Sequence, residues 1–268
     1  MSSPPPIHVS VVSHRHGALV GTLLEGLAAG DGPEHLTVTL TVNVPEPLAL
    51  APQGYGFPLQ LRHNAEPRGF GANHNAAFRS QDASRRSPFY CVLNPDTRVA
   101  PQVLHRLTGR LSADPGLGVV APLVRDPSGA VEDSMRRVPS PWTLARKLLG
   151  GRVGNEYVVD GGLFHPDWVA GICMVFPSSV YARLGGFDER YWLYYEDVDL
   201  CCRLRAAGYT IAVDPGAAIV HDARRASRSD ARMFGLHARS VLRFFSSATY
   251  RRCRRISRVR GQLARPST

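Results

Sequence analysis

Long apolar runs are missing from this sequence of 268 residues: none approaches the roughly 20 residues that a helix needs to span a bilayer. An integral membrane protein is therefore not expected. The five cysteines form no CxxC pair, and Cys91 and Cys173 lie within apolar runs typical of a core, which favours a reducing cytoplasm and argues against a zinc site. Residues 1–6 lack the basic start and cleavage site of a secretory signal, and we expect them to be a short disordered lead.

A net excess of positive charge is absent except at one end of the chain. The sequence carries a net charge of +10, yet thirteen arginines lie in residues 222–268, where only Asp222 and Asp230 oppose them, so the rest is nearly neutral. A basic surface spread over the whole body would favour a nucleic-acid partner, and its confinement to the tail argues against one. We expect residues 7–221 to form one domain and residues 222–268 an arginine-rich helical extension.

Strand and helix patterns alternate through the first hundred residues. Apolar, β-branched runs predict strands at 7–12, 36–44, 59–63 and 89–93, and helical spacing predicts helices after residue 17 and at 71–79. This alternation predicts an α/β fold with a mostly parallel sheet flanked by helices, whose ligands bind at the carboxyl ends of the strands. That rule points to Ser13, Asn43 and Asp96.

The later patterns are weaker. Residues 126–164 are rich in Gly, Pro and Arg and predict loops around a substrate cleft. The remaining predictions are a strand or strand–turn at 168–176, a short helix at 178–184, a helix at 199–207 that ends at Gly208, and two short strands at 211–213 and 217–220. An amphipathic helix is predicted at 233–245, with an apolar stripe formed by Phe234, Ala238, Val241, Leu242 and Phe245.

Three carboxylates stand together at Glu196, Asp197 and Asp199, directly after the aromatic run 191–195. Carboxylates this close repel one another, which costs stability unless a cation or a substrate uses them. The alternative is an acidic helix start, where the helix dipole favours negative charge. Asp199 fits that alternative, whereas the aromatic neighbours of Glu196 and Asp197 are typical of the wall of a sugar site.

Other polar residues are less specific by themselves. Asp96 follows a strand and could offer an oxygen ligand to Mg²⁺, which leaves positions open for substrate phosphates, but a turn without a ligand explains it equally well. His221 ends an apolar strand, where a buried, hydrogen-bonded histidine is the commoner case. The Gly69-Phe70-Gly71 turn lacks the third glycine of a dinucleotide fingerprint and predicts a helix N-terminus that faces phosphate or ribose.

Taken together, six segments resemble the family-2 inverting glycosyltransferases of the GT-A fold, particularly the bacterial rhamnosyltransferase-like enzymes that build surface polysaccharides. The resemblance implies a Rossmann-like nucleotide-binding half joined to an acceptor half. The longest segment is highly specific, whereas the NPD and GFG pieces carry weight only in series. The segments are VSVVSH at 9–14, RGFGANHNAAF at 68–78, VLNPDT at 92–97, WVAGICMVF at 168–176, GGFDERYWLYYEDVDLCCRLRAAGY at 185–209 and AIVH at 218–221.

The resemblance also assigns roles to the matching positions. It makes Asp96 the metal-binding carboxylate of a degenerate DxD motif, His221 a further metal ligand, and Asp197 the general base with Glu196 as its catalytic neighbour. In the nucleotide-sugar pocket it places Ser13, Asn43, Arg68, Gly69, Asn75, Asn94 and Asp96. In the sugar and acceptor cleft it places Trp168, Gly171 and Trp192.

The sequence departs from the family pattern at the ends of the first two strands. Asn43 stands where most members carry an Asp that accepts a hydrogen bond from uracil or thymine, although an amide oxygen can accept the same bond. The first strand ends Ser-His-Arg-His instead of Thr-Tyr-Asn. The first of these departures bears on the identity of the base.

The implied reaction moves a sugar, with inversion, from a nucleoside-diphosphate donor to a hydroxyl of a glycan or lipid-linked acceptor, with Mg²⁺ or Mn²⁺. The candidate donors are dTDP-rhamnose and UDP-sugars. One alternative is a nucleotidyltransferase that makes sugar nucleotides, but VVSHRHGALV lacks its glycine- and lysine-rich phosphate loop. The other is a non-enzymatic protein that binds nucleic acid through the tail. A homodimer is a candidate assembly.

Two interpretations of the arginine-rich tail stand side by side. In one, a basic amphipathic helix lies on anionic lipid at the inner face of the cell membrane, close to a lipid-linked acceptor. In the other, the helix packs on the domain and its arginines are solvated.

Overall fold

A computed structural model describes residues 3–48, 50–51, 54–148, 157, 161–222 and 231–263. Its strands are β1 (Ile7–Ser13), β2 (Leu36–Val42), β3 (Leu59–His63), β4 (Phe89–Leu93), β5 (Thr97–Arg98), β6 (Leu117–Arg125), β7 (Met135–Arg136), β8 (Trp168–Val169), β9 (Cys173–Pro177) and β10 (Thr210–His221). Its helices are α1 (Gly17–Ala28), α2 (Phe70–Arg79), α3 (Pro101–Ala113), α4 (Pro141–Leu148), α5 (Ser178–Arg183), α6 (Glu196–Ala206), α7 (Ala231–Ser246) and α8 (Ala248–Leu263).

An eight-stranded sheet in the order β3-β2-β1-β4-β9-β6-β10-β5 forms the centre of the fold. Its first four strands are parallel, with Val9 of β1 paired to Val38 on one side and Cys91 on the other. β1 is buried along its whole length, as expected of a central strand covered on both faces, although the polar residues His8 and Ser10 alternate with Ile7, Val9 and Val11. Helix α1 covers this part of the sheet through Val20, Leu23, Leu24 and Leu27, all fully buried.

β9 runs antiparallel between β4 and β6, with Leu93 paired to Cys173. This reversal brings the segment just before β9 beside the loop that follows β4, where Asp96 lies. On the other side, β6 pairs in parallel with β10, whose carboxyl end carries His221. The sheet therefore gathers residues from three distant parts of the chain at one edge.

Two expectations for the second half of the sheet are corrected. The predicted strands at 211–213 and 217–220 are one strand, β10, with a bulge between Asp214 and Ala218. The Asp214 carboxylate accepts hydrogen bonds from Arg106 Nε at 2.9 Å and Arg110 Nε at 2.8 Å of α3, which hold the bulge in place. The sequence patterns also missed α3 and β6 altogether.

Several helix predictions are also corrected. The helix predicted at 199–207 begins three residues earlier, so that Glu196 and Asp197 lie in the first turn of α6. The region 126–164, expected to consist of loops, contains β7 and α4, and its residues 149–156 and 158–160 lie outside the described residues, as do residues 1–2 of the predicted lead. Helix α8 lies in the extension 222–268 that was expected to be helical, although no bounds were predicted for a helix after residue 245.

The C-terminal helices pack on the domain, with the buried face of α7 different from the predicted stripe. Phe234 and Leu242 are 69% and 72% exposed, whereas Phe244 is fully buried with Tyr250 and Cys253 of α8 in the core around α6. The predicted apolar stripe was therefore wrong at Phe234 and Leu242, two of its five residues, because the face of α7 that packs on the domain is centred on Ser240 and Phe244. Among the helices that the structure describes, none has the length and apolarity of a bilayer-spanning segment.

Candidate active site

Two hydrogen bonds, each donated by a backbone N–H group, connect the loop after β4 and the first turn of α6 to the segment before β9. Asn94 N donates to Ile172 O at 2.8 Å, and Gly171 N donates to Asp197 Oδ2 at 3.1 Å. Because Gly171 and Ile172 are neighbours, the Asn94–Asp96 turn and Asp197 lie on either side of the same short segment. Asp96 and Asp197, which are a hundred residues apart in sequence, thus share one edge of the sheet.

Asp96 and His221 also meet there. Strand β5 pairs with the end of β10, and Asp222 N donates to Asp96 O at 2.8 Å, which fixes the two chain segments side by side. Asp96 Oδ1 lies 3.3 Å from His221 Nε2. On the other side of the imidazole, His221 Nδ1 contacts Glu132 Oε2 at 2.8 Å.

The two carboxylates control the charge of the histidine. Burial lowers the pKa of His221, but the hydrogen bonds and negative charges of Asp96 and Glu132 outweigh it and raise the pKa to about 9. His221 therefore carries a proton at neutral pH in this arrangement. A cation bound at Nε2 would replace that proton, while Glu132 would keep the Nδ1 proton and the orientation of the ring.

The donor set at this edge suits a hard divalent cation. Asp96 Oδ1 is buried and, among the described residues, has no partner with hydrogen-bond geometry, so that an oxygen ligand is available. Within the described ranges, no group of three or more His, Cys, Asp and Glu side chains could hold a metal ion. Asp96 and His221 alone would therefore leave most coordination positions to water and substrate phosphates, as Mg²⁺ and Mn²⁺ sites for nucleotides do.

Glu196 and Asp197 form a coupled acidic pair in the first turn of α6. Glu196 is buried, its Oε2 has no hydrogen-bond partner among the described residues, and burial, with the negative charge of Asp197, raises its pKa well above the usual range. Burial also raises the pKa of Asp197, opposed by hydrogen bonds from the backbone N–H groups of Val198 and Gly171. A partly exposed carboxylate with a raised pKa is a stronger proton acceptor than an ordinary one.

The chain enters this pair through a strained turn. Tyr194 and Tyr195 have φ values of +69° and +68°, in the left-handed region that costs a non-glycine residue about 1 kcal/mol or more. The His237 ring of α7 packs against both tyrosine rings at centroid distances of 5.1 and 5.7 Å. Packing against α7 therefore stabilises the turn that orients Glu196 and Asp197.

Gly69 is required for the close approach of two loops. A Cβ at this position would lie 2.8 Å from the carbonyl oxygen of Trp192, and the same oxygen accepts a hydrogen bond from Phe70 N at 2.9 Å. The loop before the acidic pair thus docks on the N-terminus of α2. Trp192 itself is 43% exposed and lies at the rim.

On the nucleotide side, the structure places Ser13 and Asn43 at adjacent strand ends, as predicted. Ser13 Oγ donates to Glu46 Oε1 at 2.7 Å, and Glu46 also accepts from Gly17 N at 2.6 Å at the start of α1. Asn43 accepts from Arg68 N and donates to Arg68 O, at 2.8 and 2.9 Å, which shapes the loop before Gly69. Both side chains hold the pocket together in the form seen here.

Asn75 lies on the buried side of α2. Its carboxamide contacts the backbone of Phe187 twice, at 2.8 and 2.9 Å, and accepts from the Tyr181 hydroxyl at 2.7 Å. It therefore ties α2 to the loop before the acidic segment. Asp199 is likewise internal, since its carboxylate accepts from Arg203 Nε at 2.7 Å one turn later in α6, consistent with the structural alternative for this residue.

The cleft residues Trp168 and Gly171 are on β8 and the turn after it. Trp168 is 9% exposed and its indole Nε1 donates to Arg137 O at 2.9 Å, while Arg136 lies over its ring at 5.6 Å. Gly171 allows the Phe70 ring to approach within 3.1 Å of the position of a Cβ. Gly171 thus presents its N–H to Asp197, and Trp168 forms buried wall.

Sequence reasoning missed three charged residues of this edge. Glu132 contacts His221, Glu46 contacts Ser13, and the positive charge of Arg136 lowers the pKa of Asp197. Glu132 and Arg136 fall in the Gly-, Pro- and Arg-rich region without clear periodicity. The only available signal was the isolated acidic residue Glu46 after a strand end, which is too common to be specific.

The comparisons with known proteins agree with this geometry. A family model described as "Glycosyltransferase like family 2" matches residues 4–243. The chain belongs to this family. The resemblance noted in the sequence and the expectation of an enzyme of the glycosyltransferase class are thereby confirmed.

Two curated relatives are rhamnosyltransferases. An N-acetylglucosaminyl-diphospho-decaprenol L-rhamnosyltransferase of Mycobacterium tuberculosis is 32% identical over 173 residues, which are 58% of this chain and 54% of the relative. Rhamnosyltransferase WbbL of Escherichia coli is 26% identical over 249 residues, 90% of this chain and 92% of the relative. The chain thus spans about half the length of the mycobacterial relative.

Solved structures share the fold. GalNAc-T7, crystallised with UDP, GalNAc and Mn²⁺, has a TM-score of 0.62 at 13% identity and covers 84% of this chain, which covers 45% of it. The mannosyltransferase PcManGT from Pyrobaculum calidifontis, in complex with GDP-Man and Mn²⁺, has a TM-score of 0.57 at 17% identity, with coverages of 98% and 76%. At these identities the likeness concerns the fold alone, and it confirms the GT-A-type α/β expectation.

Proposed function

We propose that this chain transfers a sugar, rhamnose in the first instance, from a nucleoside-diphosphate donor to a hydroxyl group of a glycan or lipid-linked acceptor, with inversion at the anomeric carbon. The observation that carries the proposal is the meeting of Asp96 and Asp197 on the two sides of Gly171-Ile172. It gives the site an oxygen ligand for the leaving diphosphate and a proton acceptor for the incoming hydroxyl in one place.

The donor half of the proposal rests on Asp96, His221 and the start of α2. Asp96 and His221 would hold Mg²⁺ or Mn²⁺, which supplies positive charge to the diphosphate as it leaves. Arg68, 42% exposed in its side chain, stands at the entry to α2, where the helix N-terminus favours phosphate. The relatives and fold neighbours that are named for rhamnosyl transfer or hold nucleotides and Mn²⁺ support this choice.

Asp197 is the base in this scheme. Its carboxylate accepts the proton of the acceptor hydroxyl as that oxygen attacks the anomeric carbon, and the leaving group departs from the opposite face, which inverts the configuration. The hydrogen bonds from Gly171 N and Val198 N hold both carboxylate oxygens in place, and burial raises the pKa. Positioned proton transfer of this kind contributes about 10²- to 10⁴-fold to the rate. Glu196 lies buried next to it in the first turn of α6, and its raised pKa favours the neutral form of its carboxyl group.

The acceptor half rests on the aromatic rim and on the relatives. The mycobacterial relative is named for a diphospho-decaprenol-linked acceptor, and the exposed Trp192 offers an apolar surface beside the acidic pair. Among the described residues, no contact specifically supports the alternative of a nucleotidyltransferase.

The test is a donor screen with a product analysis. The purified chain is titrated calorimetrically with dTDP-rhamnose and with UDP-sugars, with Mn²⁺ and with EDTA, and then incubated with donor and an N-acetylglucosaminyl diphosphate acceptor. We expect Mn²⁺-dependent binding of dTDP-rhamnose and a product whose anomeric configuration, determined by NMR, is inverted. A product of retained configuration, or donor turnover that is equal in EDTA, would contradict the mechanism.

A further inference from the structure

A cleft lies between α7 and the loop that leads to the acidic pair. Its volume is about 120 Å³, and its walls include Arg190 and Trp192 from the loop and Leu236, Arg239 and Arg243 from α7. The hydroxyl of Ser240 donates to Leu193 O at 2.8 Å and fixes the helix to the loop at the cleft floor. The cleft is thus a built feature of the fold and not a gap between loose segments.

The charge in this cleft is positive and largely uncompensated. Within the part of the chain that the structure describes, neither Arg239 nor Arg243 has a carboxylate partner, and Arg243 instead lies over the Tyr191 ring at 5.9 Å. Arg190 is paired with Asp188 at 2.6 Å. The remaining ligand for two guanidinium groups four residues apart on one helix is an anion, and their planar forks match the oxygens of a phosphate.

The carboxylate nearest to these arginines is occupied elsewhere. Glu189 lines the cleft, yet its oxygens contact Arg79 at 2.9 Å and Arg68 at 3.6 Å on the side of α2, and Asn75 Nδ2 donates to it at 3.0 Å. Glu189 therefore cannot neutralise Arg239 and Arg243 without giving up those contacts. The cleft keeps its positive charge in the folded protein.

Apolar surface adjoins the arginines. Trp192, on the cleft wall, is 43% exposed, and Leu236 of α7 lines the same cleft. A tryptophan and a leucine beside an arginine pair suit a ligand with an anionic group and a hydrocarbon chain. Soluble sugars and nucleotides lack the hydrocarbon part.

The position of the cleft connects it to catalysis. Five residues separate Trp192 from Asp197, a path of at most about 18 Å, and the loop between them is the one held by His237 of α7. A ligand with its phosphates in the cleft can therefore extend a short saccharide along the loop to the carboxylate of Asp197.

From these contacts we propose that the cleft binds the phosphate groups of a lipid-linked acceptor through Arg239 and Arg243, with the lipid chain against Trp192 and Leu236. The proposal rests on the function proposed above, in which the acceptor hydroxyl meets Asp197. It assigns α7 a part in acceptor recognition, which no contact of the donor half requires.

The experiment measures binding of farnesyl diphosphate, in EDTA so that metal-dependent donor binding does not contribute. The test variant is Arg239→Gln/Arg243→Gln. Its matched control is Arg251→Gln/Arg255→Gln, which removes the same charge at the same spacing from exposed positions of α8. We expect the test variant to bind about 100-fold more weakly than the wild type, since two charge-assisted contacts are lost, and the control to bind as the wild type does.

Three further binding measurements distinguish a lipid-linked diphosphate from its lipid part alone, from free pyrophosphate and from bilayer lipid. Farnesol, without phosphate, should bind the wild type and the test variant equally weakly, and inorganic pyrophosphate should bind the wild type more weakly than farnesyl diphosphate. Flotation with vesicles of phosphatidylglycerol and phosphatidylcholine should be the same for the wild type and the test variant. If the control variant loses as much farnesyl diphosphate affinity as the test variant, overall charge explains the binding and the proposal is wrong. If the test variant loses only vesicle binding, the arginines bind bilayer lipid and the proposal is also wrong.

The single variant Arg239→Gln guards against misfolding, because Arg239 is exposed and its side chain supports no contact in the described chain. It should keep the wild-type thermal midpoint and lose about tenfold in affinity. Unchanged affinity in this folded variant and in the double variant contradicts the cleft site. Failure of the wild type to transfer a sugar to any hydroxyl would instead contradict the proposed function, and the binding measurement would stand apart from it.

Discussion

The two sides of the site differ in how fully their polar groups are satisfied. On the side proposed to bind the nucleotide, the side chains of Ser13, Asn43 and Asn75 form hydrogen bonds with neighbouring loops. On the side proposed for catalysis, Asp96 Oδ1 has only the ion-pair contact with His221 at 3.3 Å, and Glu196 Oε2 is buried without a hydrogen-bond partner among the described residues. An unpaired buried oxygen costs stability, so a fold retains it where a ligand or a reaction uses it. The comparison separates residues that shape the pocket from residues that act in it.

The largest effect is expected from Asp197→Asn. The amide keeps an oxygen for one of the two backbone N–H groups but cannot take a proton, so the transfer rate should fall about 10²- to 10⁴-fold. Donor affinity, measured by calorimetry with Mn²⁺, should stay within about twofold, because the donor phosphates are proposed to bind at Asp96 and not at Asp197. Wild-type turnover in this variant would remove Asp197 from the catalytic side of the comparison.

Asp96→Asn should act on the metal-dependent step. Loss of the charged ligand should lower transfer about 10²-fold and abolish the difference between donor affinity in Mn²⁺ and in EDTA. Thermal unfolding without metal is measured beside it. Because Asp96 contacts the protonated His221 at 3.3 Å, we expect the midpoint to fall, and donor affinity is therefore compared at a temperature at which both proteins are folded. If donor binding stays Mn²⁺-dependent, the metal is held elsewhere.

Asn75→Ala tests the opposite side. The substitution leaves the Phe187 N–H, the Phe187 carbonyl and the Tyr181 hydroxyl without their partner in a buried place, which should lower the free energy of unfolding by about 1–3 kcal/mol. The matched control is Gln102→Ala, an exposed position in α3 that should change stability by less than about 0.5 kcal/mol. Stability is read from urea denaturation. A variant that keeps full stability but loses activity would indicate that Asn75 takes part in binding or catalysis.

Glu196→Gln should have the smallest effect and the opposite sign. The folded-state pKa of Glu196 is raised, so the folded state holds its proton more tightly than the unfolded chain, and stability is lost as the pH rises from the unfolded value towards the folded one. At pH 7 the variant should therefore be more stable than the wild type, by about 2–4 °C in Tm for each kcal/mol recovered. Near pH 4 the difference should vanish. A variant less stable than the wild type at pH 7 would mean that the Glu196 carboxylate has a stabilising partner.

The same contrast explains what the sequence could reveal. Asp197 stood out in a dense acidic cluster, whereas the positions of Asp96 and His221 after strands left a structural explanation open and the family resemblance singled them out. The structure brings the three residues to one edge. The roles that they are given in catalysis remain proposals. Glu132 was missed because it comes from a region of weak periodicity, and its contact with His221 depends on the pairing of β6 with β10.

The fold was predictable where local patterns were strong. β3 and β4 were predicted with the observed bounds: β4 is a short apolar run followed by turn residues, and in β3 Leu59 and Leu61 alternate with polar residues. The antiparallel course of β9 was not predicted, because strand direction depends on long-range pairing and leaves no local signal. The exposure of Phe234 and Leu242 was not predicted for a related reason. Helical spacing reveals an apolar stripe, but tertiary packing decides which side of the helix is buried.

The antiparallel β9 has a consequence for how the site comes into being. Its pairing partners come from residues 89–93 and, through β6, from residues 117–125, while the histidine that faces Asp96 arrives only with the last strand of the sheet. These contacts span long stretches of chain, and such contacts form slowly because each must first overcome the entropy of closing a large loop. During synthesis the nucleotide side can therefore fold while Asp96 still lacks its histidine. The chain would then gain transfer activity late in folding, in a single step when β10 pairs with the sheet.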